Sequence, residues 1–238
     1  MRLAPPKRPA AETDRPEWFE TAPRPTIGEP ARAQVPIHGV ISICEASAMQ
    51  FSLFGAAVTE PTLGDLDGVL LAGGHWVRSG ALARLSVVVD AEWRAVTLAD
   101  AFRGLGVGEA AQPIVAAEGG LGVRTAFAPE LFPHAARWTR GANEGLPPGL
   151  LLAPGGLRLW CIAGGRADEA GYLLGTDEPD DATHRAAGAQ LSRLGLAAVS
   201  VTKRGGGPGW RVSSARRMRR LAELVGNAPR GAGDNWPS

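Results

Sequence analysis

Four arginines, Arg216, Arg217, Arg219 and Arg220, fall within five residues of the stretch SARRMRRLAEL. Their i, i+3 and i, i+4 spacings place them on one broad face of a helix. Like charges held that close repel one another unless anions meet them, and a guanidinium can grip a phosphate through two parallel hydrogen bonds. Lys203 and Arg204 stand just before the glycine turn of VTKRGGGPGWRV, where a flexible loop can follow a polyanionic backbone, and Arg211 projects from the returning strand. These seven side chains are the candidate nucleic-acid-binding residues. They belong to a strongly uneven charge distribution: residues 185–230 carry nine Arg, Lys203 and one acid, Glu223, a net +9 inside a chain whose formal charge is +1. The remainder is therefore near −8. Such asymmetry points to a polyanionic partner, DNA or RNA, with an acidic protein partner as the competing reading.

Other chemistries find less support. His38, His75, His134 and His184 are scattered without zinc-ligand spacing, although His75 directly follows a Gly-Gly step. Cys44 and Cys161 lie far apart in apolar surroundings and read as buried thiols of a cytoplasmic protein. GGGPG lacks the Lys-Ser/Thr ending of a phosphate loop, GLGVGEAA has the wrong spacing for a dinucleotide site, and neither a G-x-S-x-G elbow nor a His-Glu-x-x-His stretch occurs. No catalytic, metal or cofactor-binding residue is assigned, and the expectation is a protein that is not an enzyme. No run approaches 18 uncharged apolar residues, and no apolar stretch follows the basic N-terminus, so neither a membrane partner nor a signal peptide is expected.

The elements that must position the basic residues read as one pattern written twice. Residues 1–36 hold eight of the nineteen prolines, which makes 1–35 a disordered leader, and residues 35–58 are an N-terminal element of ambiguous period. TLGDLDGVLLAGG offers a Thr62 cap and a helix ending on Gly-Gly, followed by the strand ARLSVVVD and the helix AEWRAVTLADAFRGLGV. Trp93, Val96, Leu98, Ala101, Phe102 and Leu105 are its expected apolar stripe. The hairpin IVAAEGGLGVRTAF and the helix PELFPHAARWTRG complete a first half over 36–140. Residues 141–156 are a linker. A second half over 157–226 repeats the order with LRLWCIAGG, GYLLGTD, DDATHRAAGAQLSRLGL capped by Asp180 or Asp181, the basic hairpin and the basic helix, and 227–238 is a flexible tail. Matching features lie 91 residues apart for the Gly-Gly steps, 87 for SVVVD against LLGTD, 89 for RGLGV against RLGL and 87 for VRT against WRV. Equal order with nearly constant offset is the mark of an internal duplication.

Gly68, Gly73, Gly74, Gly164 and Gly165 then acquire a role. Two helices crossing near an axis approach closely only through small residues, which makes these glycines the candidate helix interface. A plain C-terminal helix stop is the competing reading of each Gly-Gly. The tryptophans Trp76, Trp93, Trp138 and Trp160 are expected in the core, and Trp210 packs under its hairpin or stacks on a base.

LDGVLLAGG at 66–74 resembles the nine-residue motif of the LAGLIDADG homing endonucleases at its Leu, its first Gly, two apolar positions, the Ala and the final Gly. LRLWCIAGG at 157–165 matches at the Leu, the apolar positions, the Ala and the final Gly. The resemblance covers roughly residues 60–226 and extends to the catalytically silent relatives of those enzymes, which include the WhiA-type sporulation regulators of Gram-positive bacteria. It implies an α/β (α+β) fold of tandem duplicated αββα-type half-domains with pseudo-two-fold symmetry, in a monomer whose two sheets form a saddle for DNA. It further implies a bacterial DNA-binding regulator of transcription. Active members carry a metal-binding acid near the foot of each motif helix, where this chain has Gly73 and Gly164, and glycine supplies no ligand. Asp67, Asp90, Asp168 and Glu169 are the nearby acids through which a metal-dependent endonuclease remains the third reading.

Overall fold

A computed structural model describes residues 60–108, 114–116, 119–140, 143–176 and 182–238. The expected leader, the element at 35–58, Cys44, His38 and the Asp180/Asp181 cap lie outside the described residues.

Thr62 starts the first described helical segment through a reciprocal capping box, its N–H meeting Asp65 Oδ2 at 2.9 Å. A 3-10 turn, Leu63–Leu66, runs into helix α1, Asp67–Leu71. Strands β1, His75–Ser79, and β2, Leu82–Val89, follow, then helix α2, Glu92–Gly104, strands β3, Ile114–Val115, and β4, Leu121–Arg124, and helix α3, Phe132–Arg137. A small ribbon pairs β5, Thr139–Arg140, with β6, Asn143–Glu144. The order then continues with α4, Pro154–Gly164, β7, Gly165–Asp168, β8, Gly171–Gly175, α5, Ala182–Arg193, β9, Val199–Val201, β10, Gly209–Val212, and α6, Ala215–Val225.

The described residues form a mixed α/β structure with two antiparallel four-stranded sheets, ordered β1-β2-β4-β3 and β7-β8-β10-β9, and six helices. Each sheet therefore has one strand more than the sequence pattern anticipates. HWVRS and GRAD, which supply the extra strands β1 and β7, are short, polar edge segments without β-branched alternation, the least visible kind of strand.

Helix α4 is the hub. Seven of its eleven residues, Gly156, Leu157 and Leu159–Ala163, are buried, as expected of a helix covered on nearly all sides. It packs against α1, α2 and α6, with Trp160 and the facing Tyr172 of β8 wholly enclosed. Helix α4 also starts at Pro154, three residues earlier than the sequence reading placed it, because Pro at the first helical position gives up only an N–H that has no helical partner. This moves Gly155 and Gly156 from linker to helix.

Helix α2 corrects its expected stripe. Arg94, Ala95, Leu98 and Phe102 are the buried residues, whereas Val96 is exposed and Trp93 half-buried. Trp76, Trp138 and Trp160 are in the core as expected.

The segment 227–238 is a correction as well. It is not a loose tail: Trp236 is 6% exposed, its indole N–H donates to the Gly226 carbonyl at 2.8 Å, and the Arg158 guanidinium lies 5.0 Å over its ring. Arg158 also donates to the carbonyls of Val225 and Asn227, and the Tyr172 hydroxyl reaches the Asn235 carbonyl at 3.3 Å. A Gly- and Pro-rich composition suggested mobility, but one large ring supplies enough buried area to order the segment.

Among the described residues, no helix is long and apolar enough to cross a membrane.

Candidate nucleic-acid interface

The motif helices meet. A Cβ on Gly68 of α1 would stand 2.6 Å from the Gly156 carbonyl carbon of α4 and closer still to its oxygen, so the two backbones touch where only glycine fits. At the other end, a Cβ on Gly164 would lie 3.3 Å from the Ala72 Cβ. Gly68 and Gly164 are thus interface glycines, and Gly156 is the partner that the linker assignment concealed.

Gly73, Gly74 and Gly165 are corrections to the interface set. Gly73 has φ +98° and closes α1, with the Gly74 N–H donating to the Val69 carbonyl at 2.9 Å, the geometry of a glycine helix stop. A Cβ on Gly74 would meet Val69 of its own helix. Gly165 opens β7, and a Cβ there would meet the Tyr172 hydroxyl and the Cys161 carbonyl, not α1.

Side-chain alternation sorts each sheet into two faces. In the second sheet, Tyr172, Leu174, Trp210 and Val212 alternate to the helix layer. There the Trp210 ring stacks on His184 at 4.9 Å and its indole N–H donates to the His184 carbonyl at 2.9 Å. Trp210 is therefore a packing residue. The His184 ring nitrogens share hydrogen bonds with the Thr176 and Ser200 hydroxyls, each at 2.9 Å. Arg166, Asp168, Leu173 and Arg211 alternate to the opposite face, and the Cα partners of Leu173 are Arg166 on one side and Arg211 on the other. Leu173 is fully buried on that face, outside the main core cluster. The arginine stems on either side can shelter it, and Arg211 is itself largely enclosed, its side chain 20% exposed.

Asp168 accepts a hydrogen bond from Arg211, which also reaches the Gly205 carbonyl at 3.3 Å. Slight burial opposes ionisation of Asp168, but hydrogen bonds from Arg211 and the Ala170 N–H, with the charges of Arg211 and Arg166, outweigh it and hold its carboxyl below the usual range. Lys203 and Arg204 are exposed in a short turn, Lys203–Gly205, at the β9–β10 end.

On the first sheet, Ala83, Leu85, Val87 and Val89 face inward, leaving Leu82, Arg84, Ser86 and Val88 outward, with Arg124 opposite Ser86 and His75 on its other side. The Arg84 guanidinium lies 4.5 Å over the Phe127 ring. Arg84, Arg124 and Arg166 were missed by sequence reasoning. The one available signal was the alignment of VRT with WRV, which pairs Arg124 with Arg211.

The four arginines of α6 lie elsewhere. Ser214 caps the helix by accepting the Arg217 N–H at 3.4 Å, and Leu221, Leu224 and Val225 bury the apolar stripe against the helix layer. Arg216, Arg217, Arg219 and Arg220 line a groove of about 590 Å³ with Ser192, Gly195 and Ala197 from the end of α5 and the loop after it. The structure brings these four together, whereas Lys203, Arg204 and Arg211 are not part of that groove. Hairpin tip and helix start lie at opposite ends of β10, about four residues or 13 Å apart along the strand.

The acids of the nuclease reading are engaged separately. Asp67 is buried, accepting the Trp138 indole N–H at 2.7 Å with Arg137 at 3.9 Å. Desolvation raises its pKa above the ordinary carboxylate value despite these partners. Asp90 pairs with Arg94 at 2.9 Å. Arg94 is itself buried and points its guanidinium at the last carbonyls of α4, donating to Cys161 at 3.2 Å, Ile162 at 2.7 Å and Gly165. A cation thus sits beside Gly164, where a metal-dependent nuclease site would require acids, and the residues at that junction do not fit a divalent ion. Among the described residues, no cluster of three or more His, Cys, Asp or Glu is arranged to hold a metal. Cys161 is wholly enclosed, and burial pushes its thiol up to about 12, so it is chemically inert.

No protein-family model matches the chain, and comparison with curated proteins finds no match.

Proposed function

We propose that the chain is a non-catalytic nucleic-acid-binding protein of duplicated, LAGLIDADG-like architecture that docks on duplex DNA through the outward faces of its two sheets. The observation that carries this reading is the row of arginines opposite the helix layer: Arg84 and Arg124 on one sheet, Arg166 and Arg211 on the other, with Lys203 and Arg204 at the hairpin end. Asp168 is the one acid among the described outward positions of the two four-stranded sheets. Support for duplication comes from the common strand order and from equivalent registers. Ser86 lies between His75 and Arg124 as Leu173 lies between Arg166 and Arg211, at the offsets of 91 and 87 residues found in the sequence. The close passage of α1 and α4 at Gly68 and Gly156 agrees with paired motif helices. The mechanism is electrostatic docking, in which the outward positions Ser86 and Arg124 would face the groove. A bacterial regulatory role follows from the resemblance alone.

Titration of the full chain with a random-sequence duplex pool tests the reading. If six cations meet phosphates, the logarithmic salt slope is about −5 and affinity falls roughly a thousandfold between 50 and 200 mM salt. K203A/R204A should reduce the slope by about 2 without altering the fold. Absence of duplex binding at low salt, or a slope that K203A/R204A and R166A leave unchanged, refutes it. Tighter binding to structured RNA redirects it to RNA, and magnesium-dependent nicking overturns its non-catalytic part.

A further inference from the structure

We propose that the groove between the end of α5 and the start of α6 is a separate binding site for a compact polyphosphate, either free or as the di- or triphosphate group of a nucleotide. It lies in the helix layer, away from the outward strand positions, so it stands independently of duplex docking on the sheets. Four arginines line it, with Glu223 the one acid on the lining. Arg220 pairs with Glu223 at 3.7 Å, while Arg216, Arg217 and Arg219 have no ion-pair partner among the described residues.

The local charge of about +3 asks for a ligand of about −3. Two or three linked phosphates supply that within a few ångström, whereas three peptide carboxylates are spread over a longer chain. The volume of about 590 Å³ falls in the range of small-ligand pockets, roughly 300–1,000 Å³, and is too confined for a duplex. Ser192 and Ser214 add hydroxyls to the lining, and because Ser214 Oγ accepts the Arg217 N–H, its own proton remains to be donated. The groove also opens at the positive end of an eleven-residue helix, whose first N–H groups complement the arginines. Arginines at this density bind phosphate oxygens in pairs, which selects tetrahedral polyanions over monovalent ions.

Calorimetric titration of the full chain with inorganic tripolyphosphate, at an ionic strength held constant with sulfate, tests this directly. Saturable binding of one equivalent is expected. It should weaken at least tenfold in R216A/R219A, an exposed pair whose replacement by a strong helix former leaves α6 intact by circular dichroism. Arg216→Lys with Arg219→Lys should lie between the two, keeping charge but losing the bidentate fork. K203A/R204A, on the other surface, should bind tripolyphosphate normally while losing duplex affinity. A nucleoside triphosphate that binds more tightly than tripolyphosphate, with the same dependence on Arg216 and Arg219, identifies a nucleotide as the source. Equal or weaker binding identifies free polyphosphate. Binding no stronger than that of sulfate, binding insensitive to R216A/R219A, or displacement of tripolyphosphate by an oligoglutamate peptide at lower concentration overturns the assignment.

Discussion

Replacing Gly68 by alanine puts the close passage of α1 and α4 to a quantitative test. In an ordinary helix this substitution stabilises by about 0.8–1 kcal/mol, because alanine is the better helix former. Here the new methyl would lie 2.6 Å from the Gly156 carbonyl carbon, about an ångström inside normal carbon–carbon contact, and the obstacle is backbone that no rotamer change can clear. Helices α1 and α4 must separate, and a radial gap of 0.5–1 Å already forfeits roughly a quarter to a half of each dispersion contact along the seam. Leu66, Val69 and Leu157, all wholly buried, are among the side chains exposed to that loss. Overpacking of this kind costs about 1–3 kcal/mol, and a backbone obstacle puts it at the upper end, so after the propensity gain of about 1 kcal/mol G68A should be net destabilising by about 2 kcal/mol. Urea unfolding followed by tryptophan fluorescence supplies the measurement. Gly104 of α2, where a Cβ would meet nothing within 4 Å, is the control, and G104A should match or exceed the unaltered protein. If G68A proves as stable as G104A, the two helices do not touch at Gly68 and the placement of both sheets around them is wrong.

Three further outcomes are expected. Arg94→Met removes the donors to the last carbonyls of α4 and should cost about 3 kcal/mol, whereas Asp90→Ala, which takes away only an exposed partner, should cost less than about 1 kcal/mol; urea midpoints distinguish them. Asp67→Asn keeps an acceptor for the Trp138 indole and should be neutral or stabilising at pH 7. Because the folded carboxyl binds its proton more tightly than the ordinary value of 3.8, the unaltered protein gains on the variant as pH falls through the raised pKa, with the gain complete below 3.8. Unfolding of both proteins across pH 3–7 checks the sign, and an advantage of the unaltered protein that grows toward neutral pH contradicts it. Trp236→Ala should cost about 3 kcal/mol and render residues 227–238 sensitive to limited proteolysis, a cut that the intact segment resists.

The parts of the fold legible in the sequence are those with strong local signatures. The β-branched run of β2, the apolar surface of α4 and the Ser214-capped helix α6 each declare their type within a few residues. Strands β1 and β7 were illegible because edge strands need neither apolar alternation nor β-branching, and their pairing partners are what define them. Pro154-Gly155-Gly156 reads as linker because the same residues favour turns and helix starts, and only the proximity of Gly68 decides between the two. Arg94 has no signature at all: a cation buried by carbonyls contributed from another helix is a tertiary fact. For the binding surfaces, the density of arginine was plain, but its division was not. A strand alternates its side chains between faces and a helix does not, so Arg211 and the α6 arginines, a few residues apart, depart in different directions.

Arg94 ties residues before 146 to residues after it. It belongs to the earlier half yet completes a helix of the later one; Gln190, from the later half, accepts the Leu152 N–H in the connecting stretch, and Gly231 near the C-terminus packs on Trp93. Severing the polypeptide near residue 146 would therefore yield neither a self-sufficient fragment nor a ready-made homodimer, since each piece would lack a group only the other provides. The two pieces are fitted rather than interchangeable, and they should regain structure only by complementing each other.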